Sequence, residues 1–114
     1  MHNLADFDLD LTEGELHEQL VKRVLTGQTR VEVKTDRLAT TTGNIFIEYE
    51  YKGRPSGLEV SKAEYYSIVI PQTKSIFMIL TTRLKDLVKG CRVVYGGDNN
   101  MSKGYLLPVK RLTQ

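Results

Sequence analysis

The chain has 114 residues, a length suited to one domain, with 40% hydrophobic and 26% charged residues, ordinary proportions for a globular protein. That is enough apolar material for one core and not for two, so a single domain over residues 1–114 is expected. No apolar run approaches the roughly 20 residues of a membrane span, and Met1-His2-Asn3-Leu4-Ala5-Asp6 lacks the basic and apolar regions of a signal peptide. Cys91 is the only cysteine, which excludes an intramolecular disulfide and points to a reducing, cytoplasmic setting.

Net charge is only +2, but its distribution is uneven. Asp6, Asp8, Asp10, Glu13, Glu15 and Glu18 crowd the first 18 residues, which hold no Lys or Arg. Residues 74–114 carry eight basic side chains against Asp86 and Asp98. Such asymmetry suits a protein that meets a polyanion on one surface and cations on another, although a solvated scatter of charge has the same look.

Thr12-Glu13-Gly14-Glu15 reads as a capping box. Leu16, Leu20, Val21, Val24 and Leu25 follow at helical spacing, and Gly27 is a stop signal, which predicts a helix over 12–26. Residues 29–36 alternate instead: Val31 and Val33 face one way, and Glu32, Lys34 and Asp36 the other. A loop over 37–44 leads to a second alternating strand, 45–52, with Ile45, Ile47, Tyr49 and Tyr51 opposite Phe46, Glu48, Glu50 and Lys52. Gly53-Arg54-Pro55-Ser56-Gly57 breaks it.

A helical turn is expected at 61–64, capped by Ser61. Residues 65–70 and 75–81 have the continuous apolar character of buried central strands. A short helix over 83–89 ends at Gly90, a strand follows at 91–95, a Gly-rich loop at 96–104, and a last apolar segment at 105–109. The order implies an α/β chain with a mixed sheet flanked by helices.

If the first two strands pair as a hairpin, Val31 and Val33 must share a face with Ile45 and Ile47. Strict alternation then gathers Glu32, Lys34 and Asp36 beside Glu48, Glu50 and Lys52. Carboxylates opposed across strands repel, so such a face needs a compensating cation. Lysines supply part of it and a divalent metal the rest. Phosphodiester hydrolysis uses this inventory: carboxylates hold Mg²⁺, the ion activates water, and a lysine stabilises developing charge. The plainer alternative is the solvent face of a half-exposed sheet.

The helix bearing a glutamate, Val31-Glu32-Val33-Lys34-Thr35-Asp36, Thr42-Gly43-Asn44-Ile45-Phe46-Ile47-Glu48 and Ser56-Gly57 together resemble the PD-(D/E)XK nuclease superfamily, in particular its small phage-type members. The superfamily includes restriction endonucleases and Holliday junction resolvases, and the likeness covers roughly residues 8–70. It implies a restriction-endonuclease-like αβββαβ core and a Mg²⁺- or Mn²⁺-dependent nuclease acting mainly on DNA, and it leaves duplex, single-stranded and branched DNA, and RNA, all open as substrates. Glu18, or Glu15, would be the accessory acid, Glu32 a metal ligand and Lys34 the catalytic lysine. Two mappings stay open. One takes Glu32 and Lys34 as the Glu-x-Lys motif with Asp10 upstream. The other takes Glu32 or Asp36 as the upstream acid, Glu48 or Glu50 as the second, and Lys34 or Lys52 as the lysine.

Lys62, on the expected turn, is a candidate phosphate contact but reads more readily as a solvated lysine. Lys85 and Lys89, with Arg92, read equally well as a phosphate-tracking patch or as solvated side chains. His2 and His17 form no metal set, and one cysteine argues against zinc. A chain this short leaves little room for a cleft between lobes, so cutting a large substrate would call for a homodimer. Two other functions compete: a non-catalytic nucleic-acid-binding or regulatory module on a nuclease-like fold, and a protein-interaction module built on an exposed sheet edge.

Overall fold

A computed structural model of the protein describes residues 13–113. Asp10, the Thr12 cap and the side chain of His17 lie outside what is described. By its contacts the chain divides into two compact units, Met1–Arg30 and Val31–Gln114. In the first, helix α1 spans Glu13–Leu25 and carries Lys22 and Arg23 in its last turn, where cations complement the helix dipole. Gly27, at φ 74°, closes it by donating its N–H to Val24 O at 3.2 Å, as the left-handed closing residue of a helix does.

The second unit carries seven strands in two sheets. In the first sheet β1 (Val31–Thr35), β4 (Tyr65–Ile70) and β5 (Ser75–Leu80) lie in the order β1-β4-β5. The second is antiparallel, with β2 (Asn44–Tyr51), β3 (Arg54–Pro55), β6 (Arg92–Gly96) and β7 (Ser102–Pro108) in the order β3-β2-β7-β6. The predicted hairpin between the two early strands does not form. β1 pairs in parallel with β4, and β2 pairs with β3 and β7. Apolar, almost fully buried β4 cannot leave its backbone groups unpaired, and it satisfies them with a strand on each side. Between β1 and β2 the chain makes a short helix, α2 (Ala39–Thr42), and turns away at Gly43, φ 75°.

Asp36 joins the two sheets. Its N–H donates to Val69 O on β4 at 2.9 Å. Its carboxylate accepts the N–H of Leu38 through Oδ1 and that of Phe46, on β2, through Oδ2, each at 3.0 Å. The core draws on both sheets. Ile45, Ile47 and Leu107 meet Tyr66, Ile68 and Ile70, together with Leu58 and with Leu84 and Val88 from helix α3 (Thr81–Leu87) and its C-cap.

Three other expectations change. The segment 75–81 is an edge rather than a central strand, with Ile76 and Met78 exposed. Residues 61–63 are not helical. The single turn there falls at Gly57–Glu59, because Ser56 and Gly57 have to bring the chain back against β2. The 96–104 loop is shorter than expected: Asp98–Asn100 turns the chain and β7 starts at Ser102. No helix among the described residues is long and apolar enough to cross a membrane.

Candidate functional site

Alternation along β1 puts Glu32 and Lys34 on one face, where the parallel register sets Glu32 beside Tyr66 and Lys34 beside Ile68 of β4. Glu48 comes from β2, in the other sheet. Glu32, Lys34, Glu48 and Tyr66 line one cavity of about 180 Å³, with Val33, Ile47 and Gly57 completing its wall. Lys34 Nζ lies 5.7 Å from the centroid of the Phe46 ring, within cation–π range. The three polar residues predicted for a site on one hairpin therefore meet by a different route, across two sheets.

Glu48 is held at both oxygens. Ser56 donates its hydroxyl to Oε2 at 2.8 Å and Ser102 donates to Oε1 at 2.5 Å. Gly57 makes this possible: its φ is 49°, and a Cβ there would stand 2.2 Å from Glu48 O. Only glycine lets the chain after β3 pass so close to β2. Each carboxylate oxygen has a second acceptor direction, so Glu48 is oriented without being used up.

Tyr66 supplies a phenol to the cavity. Burial raises its pKa above the ordinary 10.0, a hydrogen bond with Ser61 lowers it, and the negative charges of Glu32 and Glu48 raise it further. The net direction is up, so at neutral pH Tyr66 is a hydroxyl donor beside two carboxylates.

The remaining candidates fall elsewhere. Asp36, 8% exposed, accepts one backbone N–H at each oxygen and is not among the residues that line the cavity. Glu50 is turned off the Glu48 face by an irregularity in the β2–β7 ladder between Glu48 and Glu50. It lies with Lys103, whose pKa is raised first by Tyr95 and then by Glu50. Lys52 sits in the β2–β3 turn at φ 50°. Glu18 and Glu15 are exposed on α1 in the Met1–Arg30 unit. Lys62 is exposed on a segment outside any helix or strand. Lys85 is exposed on α3, and Lys89 pairs with Asp86 at 3.1 Å on the surface, an arrangement of little energetic weight.

Glu32 and Glu48 give the cavity two carboxylates, and among the described residues no three His, Cys, Asp or Glu side chains converge. Mg²⁺ takes oxygen ligands and keeps several waters, so a donor set of this size fits it when substrate phosphate adds the rest. The four-ligand tetrahedral set of zinc has no counterpart among these residues. Ser56, Ser102 and Tyr66 were not legible as site residues. Ser56-Gly57 stood in the motif that carried the resemblance, whereas Ser102 lies 54 positions from Glu48 and carries no local signal. No protein-family model, curated protein or solved structure matches this chain.

Proposed function

We propose that the protein is a divalent-metal-dependent nuclease that hydrolyses phosphodiester bonds in DNA, on a restriction-endonuclease-like core. The reading rests on one observation: Glu32 and Lys34 from β1 and Glu48 from β2 line the same cavity. Glu32 and Glu48 would hold Mg²⁺ or Mn²⁺, which when bound polarises the phosphate and lowers the pKa of a coordinated water. Lys34 places a positive charge where the phosphorane oxygens gain negative charge. Ser56 and Ser102 keep Glu48 pointed into the cavity, and Tyr66 would offer it a neutral phenol.

A second reading, a nucleic-acid-binding module without catalysis, draws support from Asp36. With that carboxylate committed to the backbone, the cavity has two acids rather than three. Cleavage of supercoiled plasmid and of a synthetic four-way junction, in Mg²⁺, Mn²⁺ or EDTA, separates the two. For the nuclease, cutting requires the metal and falls by about 10²–10⁴-fold in Lys34→Ala and Glu48→Gln. DNA binding with no cutting in either metal selects the second reading.

A further inference from the structure

The irregularity in β2 re-aims its last residues. Glu48 stands opposite Gly104 and Glu50 opposite Lys103, so Tyr49 is the extra residue of a bulge. Beyond it the alternation of faces is inverted. Tyr51 stands opposite Ser102 on one side and Arg54 on the other, and directly opposed residues share a face. Ser102 is the residue whose hydroxyl holds Glu48, so Tyr51 lies on the Glu48 face, one row toward the hairpin tip. Uninterrupted alternation would have set Glu50 there and turned Tyr51 away.

The tip itself is a two-residue turn with Lys52 and Gly53 both left-handed, at φ 50° and 79°, the geometry of a tight hairpin. It presents Tyr51, a residue that is 43% exposed. Lys52 Nζ lies over one face of the Tyr51 ring, 5.5 Å from its centroid, and exposed Arg54 is the cross-strand neighbour of Tyr51; a base would take the other face. An exposed ring flanked by two cations is the composition of a stacking platform for a nucleic-acid strand: the ring takes a base face and the cations take its phosphates. A base inside a duplex has its faces covered by its neighbours. The second exposed aromatic–cation pair, Tyr95 with Lys103 at 5.3 Å, lies with Glu50 on the opposite face, away from Glu48 and the cavity.

We infer that Tyr51, with Lys52 and Arg54, stacks an unpaired base next to the Glu32–Lys34–Glu48 cavity, so that the substrate is DNA with a single-stranded stretch rather than uninterrupted duplex. The inference rests on the nuclease reading for what happens in the cavity, but not for the binding itself. Fluorescence anisotropy with a labelled oligo-dT strand and with a duplex of equal length, both in EDTA, measures that binding apart from cleavage. Wild type binds the single strand more tightly than the duplex. Tyr51→Ala weakens single-strand binding about ten-fold or more, whereas Tyr51→Phe and Tyr95→Ala leave it within about two-fold. Equal binding of single strand and duplex by the wild type, or an unchanged single-strand affinity in Tyr51→Ala, overturns the platform. Mg²⁺-dependent plasmid cutting that survives that result keeps the nuclease reading. Tyr51-dependent binding with no cutting in any metal keeps the platform and removes the nuclease.

Discussion

Ser102 on β7 donates its hydroxyl to Glu48 Oε1 at 2.5 Å, across 54 positions of sequence. Ser102 is itself only 4% exposed, so the hydroxyl has a fixed direction, and with Ser56 on the other oxygen Glu48 keeps one orientation. A ligand held in this way loses less freedom when it binds an ion.

On the proposed nuclease reading, Ser102→Ala is expected to raise the Mg²⁺ concentration needed for half-maximal cleavage by about 10–100-fold. Its cost in stability is small, about 1 kcal/mol, because half-buried Glu48 can regain water. A Mg²⁺ titration of plasmid cutting beside a urea unfolding curve measures both. A large loss of stability with an unshifted Mg²⁺ midpoint would show the hydroxyl to be architectural only.

Gly57→Ala meets two obstacles at once: a positive φ and a Cβ placed 2.2 Å from Glu48 O. Gly90→Ala meets only the first, since nothing lies within 4 Å of its Cβ. Left-handed backbone alone costs about 1–2 kcal/mol, so urea unfolding should show Gly57→Ala losing clearly more than Gly90→Ala. A close match between the two would mean that the chain after β3 yields at no cost.

Asp36→Asn keeps the size of the side chain but leaves one of two backbone N–H groups without an acceptor. Losing one hydrogen bond to a charged group and leaving a part-buried donor unsatisfied amounts to about 2–3 kcal/mol. The loss should be the same in Mg²⁺ and in EDTA, because Asp36 ties β1 to β2 rather than lining the cavity. A destabilisation seen only in Mg²⁺ would reassign it as a ligand.

Tyr66 gives the protein a marker at alkaline pH. Its folded pKa is raised above 10.0, chiefly by burial, so below pH 10 it is protonated whether folded or not and stability is intact. As pH rises past 10.0 the unfolded chain gives up the proton more readily, and stability declines until the folded pKa is passed. Tyr105, raised first by burial, acts in the same direction. Urea midpoints taken from pH 9 to 11 should fall in the wild type and fall less in Tyr66→Phe. An identical fall in both would place the titrating groups elsewhere.

Local pattern made much of the secondary structure readable. The helical period of Leu16, Leu20 and Val24 and the stop at Gly27 marked α1, and the apolar run at 65–70 marked a strand that is central. Glu32 and Lys34 were readable as neighbours because alternation sets which residues of one strand share a face, whereas Glu48 was joined to them through a hairpin that does not form. The pairing was not readable. Alternation is the same whether β1 meets β2 or β4, and a register inferred between the wrong partners brought Asp36 and Glu50 to a face they do not share.

By itself the sequence determined the chemistry available and the sidedness of a strand as long as its alternation is uninterrupted, since both are properties of neighbouring residues. Only the tertiary structure decided which strands are partners, that Asp36 is a joint and Glu48 is clamped, and that a bulge at Tyr49 brings Tyr51 to the Glu48 face. These are settled by burial and by the need to pair every buried backbone group. Both requirements act between residues far apart in the chain, where no local pattern records them.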